Sequence, residues 1–461
     1  MIKIYYQEDT FFSSSLSVVV SYVMDRIPEG IEYICFKRGE IPIIQDSSDN
    51  YILLSILSHL EFCSAIHLLD QLSLKNINVV CGGQWFYSFK NVHDVLNTTD
   101  LISHICIGAG EEFLVSLIQD KLASGIYFAE DFDKISKSYI TQKTILNNTP
   151  SVLIGLKGNS CDWGRCKFCD TGKTMRGTLS GIKDFYSVQE NIKIMRYYIE
   201  EHDSELFMFY DNNTDPHDLK EIISAMPEDK KISIVCFGLR ANARFDILSD
   251  VLKRKSNIKL CIMIGYEFFD DDILDIYQKG FNTADILNQM KWCDEHNVAY
   301  MGNVILGMPL ISNRHIKNHL SFYKNFWDKG ILPINKNNGF VLTETMPVYR
   351  ESSFFKIIPK EYIKCKELQY GLSLPEDIGN LRLKYIDFDL YDEDERKYVD
   401  RTFTHYKYGK LYNMYDQMLK IQGIKFNFRD ILRFGPPSEE DLIDSHLLYK
   451  DHNFTIKGVT I

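Results

Sequence analysis

Three cysteines fall within nine residues of this chain, in Asn159-Ser160-Cys161-Asp162-Trp163-Gly164-Arg165-Cys166-Lys167-Phe168-Cys169-Asp170, a C-x4-C-x2-C spacing. Close thiolates on a turn-rich loop can converge on one soft metal centre. Gly164 lets such a loop turn tightly. Arg165 and Lys167 set positive charge beside thiolates, which lowers thiol pKa and offsets the charge of a cluster. Structural zinc takes four protein ligands, commonly as two pairs, and no second C-x2-C is present. Three ligands leave one position open, which fits an iron–sulfur cube with one free iron. Three unliganded thiols, or zinc with a distant fourth ligand, are the alternatives.

The loop resembles the cluster loop of radical S-adenosylmethionine (radical SAM) enzymes. The commonest spacing there is C-x3-C-x2-C, so this loop is one residue longer. Trp163-Gly164 before the second cysteine resembles variants of the cobalamin-binding branch. Phe168 stands where the family has an aromatic that packs near the adenine of SAM. Phe207–Asn213 resembles the second barrel strand, whose polar end contacts the SAM amino group, which singles out Asp211 and Asn213. Cys236–Ala241 resembles the third-strand segment that ends in an arginine near the SAM carboxylate, here Arg240. Ile264-Gly265-Tyr266-Glu267 is similar to the G-x-E strand end, Lys279-Gly280 to the turn that follows it, and Leu306-Gly307-Met308-Pro309 to the late Gly-x-Pro turn. The likeness spans about residues 150–345. It implies a [4Fe-4S] cluster on Cys161, Cys166 and Cys169, SAM at its open iron, and reductive cleavage of SAM to a 5′-deoxyadenosyl radical that attacks an unactivated C–H bond. It also implies an electron donor such as flavodoxin or ferredoxin.

The first part of the chain resembles the cobalamin-binding domain that precedes the barrel in one branch of that superfamily. Ser55-Ile56-Leu57 matches an S-x-L element, Gly82-Gly83 follows it, and Gly108-Ala109-Gly110-Glu111-Glu112 resembles a G-E-G-E turn with Ala109 in place of the first glutamate. The resemblance therefore gives Ser55, Leu57, Gly82, Gly83, Gly108, Gly110 and Glu111 as cobalamin residues. No D-x-H-x-x-G motif supplies an axial histidine, as is usual in the radical SAM branch. With cobalamin, the expected reaction is C-methylation of a peptide made by the ribosome. Without it, the substrate radical needs a hydrogen donor. Cys365, the one cysteine after the barrel, is then the candidate thiol of a peptide epimerase. A non-catalytic iron–sulfur or zinc scaffold is the reading from another class.

These residues need elements to hold them, and the pattern is α/β. Tyr51–Leu57, Asn78–Cys81 and Ile105–Ile107 read as strands that end in Gly-rich turns, with helical spacing after Phe62 and a helix from Glu111 to Gly125. Such turns lie where a doubly wound sheet presents its ligand crevice. Six strand candidates then follow: Val152–Leu156, Leu206–Tyr210, Ile232–Phe237, Leu260–Ile264, Tyr300–Leu306 and Gly339–Leu342. Amphipathic stretches separate them, notably Ser187–Glu201, which opens with a Ser187/Glu190 capping box. The expected architecture is α/β: a Rossmann-like, cobalamin-binding-type domain over 1–135, a partial (β/α)6 barrel over 150–345 with chemistry at its strand ends, and an α-rich substrate-binding or capping region over 346–461.

Composition bounds the partners. Lys plus Arg is 52 against 63 Asp plus Glu, a net charge of −11, so a nucleic-acid partner is not expected. No apolar run approaches the roughly 18–20 residues of a membrane span, and the N-terminus is no secretory signal. Eleven cysteines, most of them in apolar stretches, indicate a reducing, cytoplasmic setting. The partners expected are a peptide or small-molecule substrate and a reductant.

Overall fold

A computed structural model describes residues 1–7, 15–37, 40–56, 59–87, 92, 95–96, 99–108, 110–128, 152–154, 161–169, 187–209, 211–305, 307–327, 340–364, 374, 376–400, 455–456 and 459–460. The chain forms two compact units. The first comprises Met1–Ser151, Thr174–Asp184 and Tyr362–Tyr385; the second comprises Val152–Lys173, Phe185–Glu361 and Ile386–Ile461. Among the described residues, no helix is long and apolar enough to cross a membrane.

The first unit is built on six parallel strands, β1 (Ile2–Gln7), β2 (Ile31–Phe36), β3 (Tyr51–Ser55), β4 (Asn78–Gly82), β5 (His104–Ile107) and β6 (Gly125–Phe128), in the order β2-β1-β3-β4-β5-β6. Period-two alternation splits β3 between two cores. Ile52 and Leu54 join Phe62, Ile66 and Leu69 of α2 (His59–Leu72), while Tyr51 and Leu53 join the face covered by α1 (Ser15–Arg26) and α3 (Glu111–Asp120). A strand buried on both faces must be apolar throughout, as Tyr51-Ile52-Leu53-Leu54 is. Ile363, Ile378 and Leu381 return late in the chain to the α2-side core. The helix expected to run to Gly125 ends at Asp120. Lys121 takes a left-handed φ of 49° as its cap, and Gly125 instead opens β6.

The second unit carries a parallel sheet in the order β11-β10-β9-β8-β7, made of β7 (Val152–Ile154), β8 (Leu206–Phe209), β9 (Ile232–Leu239), β10 (Ile258–Glu267) and β11 (Ala299–Val304). The crossovers include α4 (Val188–His202), α5 (Pro216–Ala225), α6 (Asp271–Ile276), α7 (Thr283–Glu295) and, after β11, α8 (Asn313–Trp327). The Ser187/Glu190 capping box closes as the sequence predicts: Ser187 N–H donates to Glu190 Oε2 at 2.7 Å, and Glu190 N–H to Ser187 Oγ at 3.3 Å.

The sixth strand candidate does not extend this sheet among the described residues. Leu342 instead bridges Ile386 in antiparallel fashion. The α-rich expectation for 346–461 fails over 346–400, where α9 (Pro347–Arg350) is followed by β12 (Ile357–Lys364), β13 (Arg382–Asp392) and β14 (Lys397–Asp400). In β13 the buried Ile386, Phe388 and Leu390 alternate with Asp387 and Asp389. That is strand spacing, which the charged composition hides.

Candidate functional site

Parallel strands share one polarity, so their C-terminal ends share one edge. The cysteine loop follows β7, Asp211 follows β8, Arg240 follows β9, and Glu267 ends β10. In the loop, Gly164 takes a φ of 54°, and Cys169 N–H donates to Cys166 O at 3.2 Å. Lys167 is held at three points. Its N–H donates to Tyr277 O at 3.0 Å, its carbonyl accepts from Val348 N–H at 3.0 Å, and its Nζ lies 2.5 Å from Glu351 Oε1. The lysine expected to offset cluster charge is thus committed to a carboxylate. Arg165 stays exposed, 5.1 Å from the Trp163 ring.

Cys161, Cys166 and Cys169 are each partly buried. Burial pushes the Cys166 thiol up to about 11. Lys279 and Arg240 pull against that, and Cys169 and Glu267 add to it. Burial also lowers Arg240, whose guanidinium feels both Cys166 and Cys161. The three sulfurs, Arg240, Lys279 and Glu267 therefore form one electrostatic group. A buried thiolate needs a cation or a metal beside it. Three thiols from one short loop, with two cations at hand, fit a cluster held at three corners.

Glu267 has a left-handed φ of 67°, where the register between β10 and β11 shifts. For a side-chain-bearing residue this costs about 1 kcal/mol or more and persists only when neighbours enforce it. Here they do: Glu267 O accepts from Ile305 N–H at 2.8 Å, and its Oε1 lies 3.1 Å from Lys279 Nζ. Both side chains are nearly buried, at 11% and 8% exposure, and face each other as an ion pair. Gly265 makes room for the carboxylate, because a Cβ there would fall 2.3 Å from Glu267 Oε1.

Phe168 lies 5.9 Å from the Tyr277 ring and 5.4 Å from Lys279 Nζ. Asp211 is fully buried and raises the already high pKa of Cys236; Asn213 is half-buried. Sequence reasoning missed Trp163 as a contact residue. Its Nε1 donates to Gln278 O at 2.8 Å, and the Arg240 guanidinium stacks 4.2 Å from its ring. It also passed over the pairing of Lys279 with Glu267. The signals were the tryptophan inside the cysteine loop and the lysine beside Gly280.

The zinc alternative needs a second ligand pair, and sequence reasoning, which found no H-x3-H, passed over His315-x3-His319, which has that spacing. The structure gives these histidines other work. His319 is fully buried, with Nδ1 accepting from Phe269 N–H at 3.0 Å. Nδ1 of His315 faces Ser312 N–H at 3.0 Å, while Arg314 lies 2.8 Å from its Nε2 and 2.6 Å from Asp272. The Asp270, Asp272 and His315 cluster thus already holds a cation.

In the first unit, the strand order reverses between β1 and β3, and the C-terminal ends at such a reversal are where doubly wound sheets present a ligand crevice. Ser55 ends β3, is buried, and pairs in register with Gly82. Among the described residues, a Cβ on Gly82 would meet only Cys106 O, at 3.6 Å, an ordinary van der Waals contact. Gly83 differs: with a φ of 110°, its Cβ would strike Ile56 O at 2.4 Å. Gly83 is therefore required by the chain's own packing. Gly108 has a φ of 112°, and Gly110 precedes α3 without a side-chain cap. Glu111 opens α3. Its Oε2 is buried without a hydrogen-bond partner among the described residues, and burial raises its pKa. A carboxyl oxygen without a partner among the described residues, beside a glycine that ends β4, fits a polar ligand at this edge. Leu57 and Cys365 lie outside the described residues.

Residues 157–323 match the Radical SAM superfamily. The chain carries a radical SAM domain. That superfamily implies a [4Fe-4S] cluster and SAM. No curated protein matches the chain. The cobalamin-dependent S-adenosylmethionine radical enzyme OxsB, solved with aqua-cobalamin and SAM, is 13% identical, with a TM-score of 0.57 over 99% of this chain and 76% of that one. The radical SAM methyltransferase TsrM from Kitasatospora setae, solved with tryptophan substrate and the SAM analogue aza-SAM, is 11% identical, with a TM-score of 0.56 over 95% of this chain and 91% of that one. At these identities the likeness is one of fold: the chain shares the α/β architecture of both.

Proposed function

We propose that this radical SAM enzyme is a cobalamin-dependent C-methyltransferase acting on an unactivated carbon of a peptide made by the ribosome. The observation that carries the reading is the grouping of the three thiols with Arg240, Lys279 and Glu267 at one strand edge. Cys161, Cys166 and Cys169 would hold the cluster. Asp211, Asn213, Arg240 and Glu267 would bind SAM, with Phe168 against its adenine. Ser55, Leu57, Gly82, Gly83, Gly108, Gly110 and Glu111 would bind cobalamin. When bound, these groups supply one-electron cleavage of a carbon–sulfur bond and a transferable methyl group.

The chain's own part is positioning. Lys279 holds the Glu267 carboxylate in place, so that it can accept from an ammonium group. Arg240 sets a fixed positive charge beside the sulfurs. Supporting the cobalamin assignment are the absence of a clash for a Cβ at Gly82 and of a partner for the Glu111 oxygen among the described residues, and the cobalamin named for OxsB. TsrM is a methyltransferase with tryptophan as substrate, which keeps a small molecule as the second substrate class. The competing reaction is epimerisation, with Cys365 as hydrogen donor.

The test is anaerobic purification with added cobalamin, followed by absorption spectroscopy and an assay for 5′-deoxyadenosine. We expect uptake of cobalamin, broad iron–sulfur absorption and SAM cleavage, with absorption and cleavage both lost in Cys161→Ala, Cys166→Ala or Cys169→Ala. Absence of cobalamin uptake overturns the methyltransferase in favour of the epimerase. Cleavage surviving in a cysteine variant overturns that ligand.

A further inference from the structure

Three consecutive carbonyls after α6 are each taken by a side chain. Gln278 O accepts from Trp163 Nε1 at 2.8 Å, Lys279 O from the Arg240 guanidinium, and Gly280 O from Asn242 Nδ2 at 2.9 Å. The middle residue of this turn, Lys279, holds Glu267. The turn thus joins the cysteine loop, the end of β9 and the end of β10.

Trp163 makes two of these connections tight. One face of its indole lies under the Arg240 guanidinium, 4.2 Å away. The ring also presses on Gly280, where a Cβ would come within 2.2 Å of Cζ2 and 2.3 Å of Cη2. Gly280 has a φ of 69°, so its missing side chain serves both the turn and the ring. A rigid ring with no slack on one side, and a hydrogen bond at its edge, transmits the position of the loop to the turn. Arg240, pinned by the ring and by Lys279 O, is fixed in the same way.

We infer that Trp163 is a positioning residue for SAM: it locks the 278–280 turn, and through Lys279 it fixes the direction of the Glu267 carboxylate. The inference rests on the proposed SAM site, and deepens it. Trp163 does not ligate iron, so its loss should separate two quantities that a purely structural role would move together.

The test measures iron and sulfide content, absorption, melting temperature and SAM affinity per loaded cluster, in the full-length protein. Trp163→Phe keeps a ring for Arg240 and loses the N–H. We expect unchanged iron content and about three- to tenfold weaker SAM binding, the worth of one hydrogen bond. Trp163→Leu also loses the cation–π stack and should weaken SAM further. Gly280→Ala should act in the same direction. Combined with Trp163→Phe, it should cost less than the two single effects added, since both disturb one contact. SAM affinity per cluster that stays at the wild-type value overturns the inference, and so does iron lost in proportion to SAM binding. Wild-type protein that binds iron but no SAM would instead overturn the site reading on which this rests.

Discussion

The paired glycines of the first unit show why residue identity alone misleads. Both Gly82 and Gly83 fit a cobalamin-domain pattern, yet only Gly83 is demanded by the chain itself, because its missing Cβ faces the Ile56 backbone. Gly83→Ala should lower stability by about 2 kcal/mol or more, through strain and a clash that no flexible side chain can relieve. Gly82→Ala should leave the melting temperature unchanged and weaken cobalamin uptake. Thermal unfolding and a cobalamin titration on both variants check this; equal effects on stability would mean that Gly82 too is structural. Spacing singled out the three cysteines, and the family resemblance singled out Arg240 and Glu267; the structure brings them to one sheet edge. The Lys167–Glu351 pair was not, because its members are far apart in sequence and neither is unusual alone. The Trp163 contact was hidden for the same reason: the turn it grips lies more than a hundred residues away.

At the scale of elements, α8 braces the loop that follows Glu267. Asn318 Nδ2 donates to Asp270 at 2.7 Å, and His319 accepts from Phe269 N–H while packed 4.4 Å from Phe268 and 4.9 Å from Phe269. Burial holds the His319 imidazole neutral down to about 3. The folded value lies below the ordinary value of about 6.5, so between these limits the unfolded chain takes up a proton that the folded chain refuses. Stability therefore falls as pH drops through that window, by up to about 1.4 kcal/mol per unit from this group. His319→Asn keeps an acceptor for Phe269 and removes the titration. It should be less stable at pH 7 but lose less stability between pH 7 and pH 5, as read by urea unfolding; an unchanged acid slope would remove His319 as the cause. The strands and the capped helix were legible because periodicity and capping are local. The C-terminal strands were not: in β13 alternating aspartates gave the segment a charged composition that outweighed its period of two. The five-strand count of the second sheet was equally hard to read, because an apolar run such as Phe340-Val341-Leu342 does not state which neighbour it will pair with.

For the whole molecule, the question is what ends the reaction. The first unit offers a parallel sheet whose strand order reverses beside β3, and a Glu111 oxygen without a hydrogen-bond partner among the described residues. The second offers a thiol loop, two cations and a glutamate with a left-handed backbone. A chain built only to bind iron would not need the buried Glu267–Lys279 pair, since burying two charges is costly unless they serve a ligand or a fold constraint. A methylating enzyme must bind cobalamin as well as SAM; an epimerase needs SAM and one thiol. The two therefore differ in what the product gains. Turnover in deuterated water, with and without cobalamin, should give a product heavier by one methyl group only when cobalamin is present. Cys365→Ala should leave that product unchanged. A gain of one deuterium that ignores cobalamin and vanishes with Cys365→Ala would assign the chain to epimerisation instead. Because 5′-deoxyadenosine should form in both cases, its yield measured beside the product mass separates a failure of SAM cleavage from a failure of the later step.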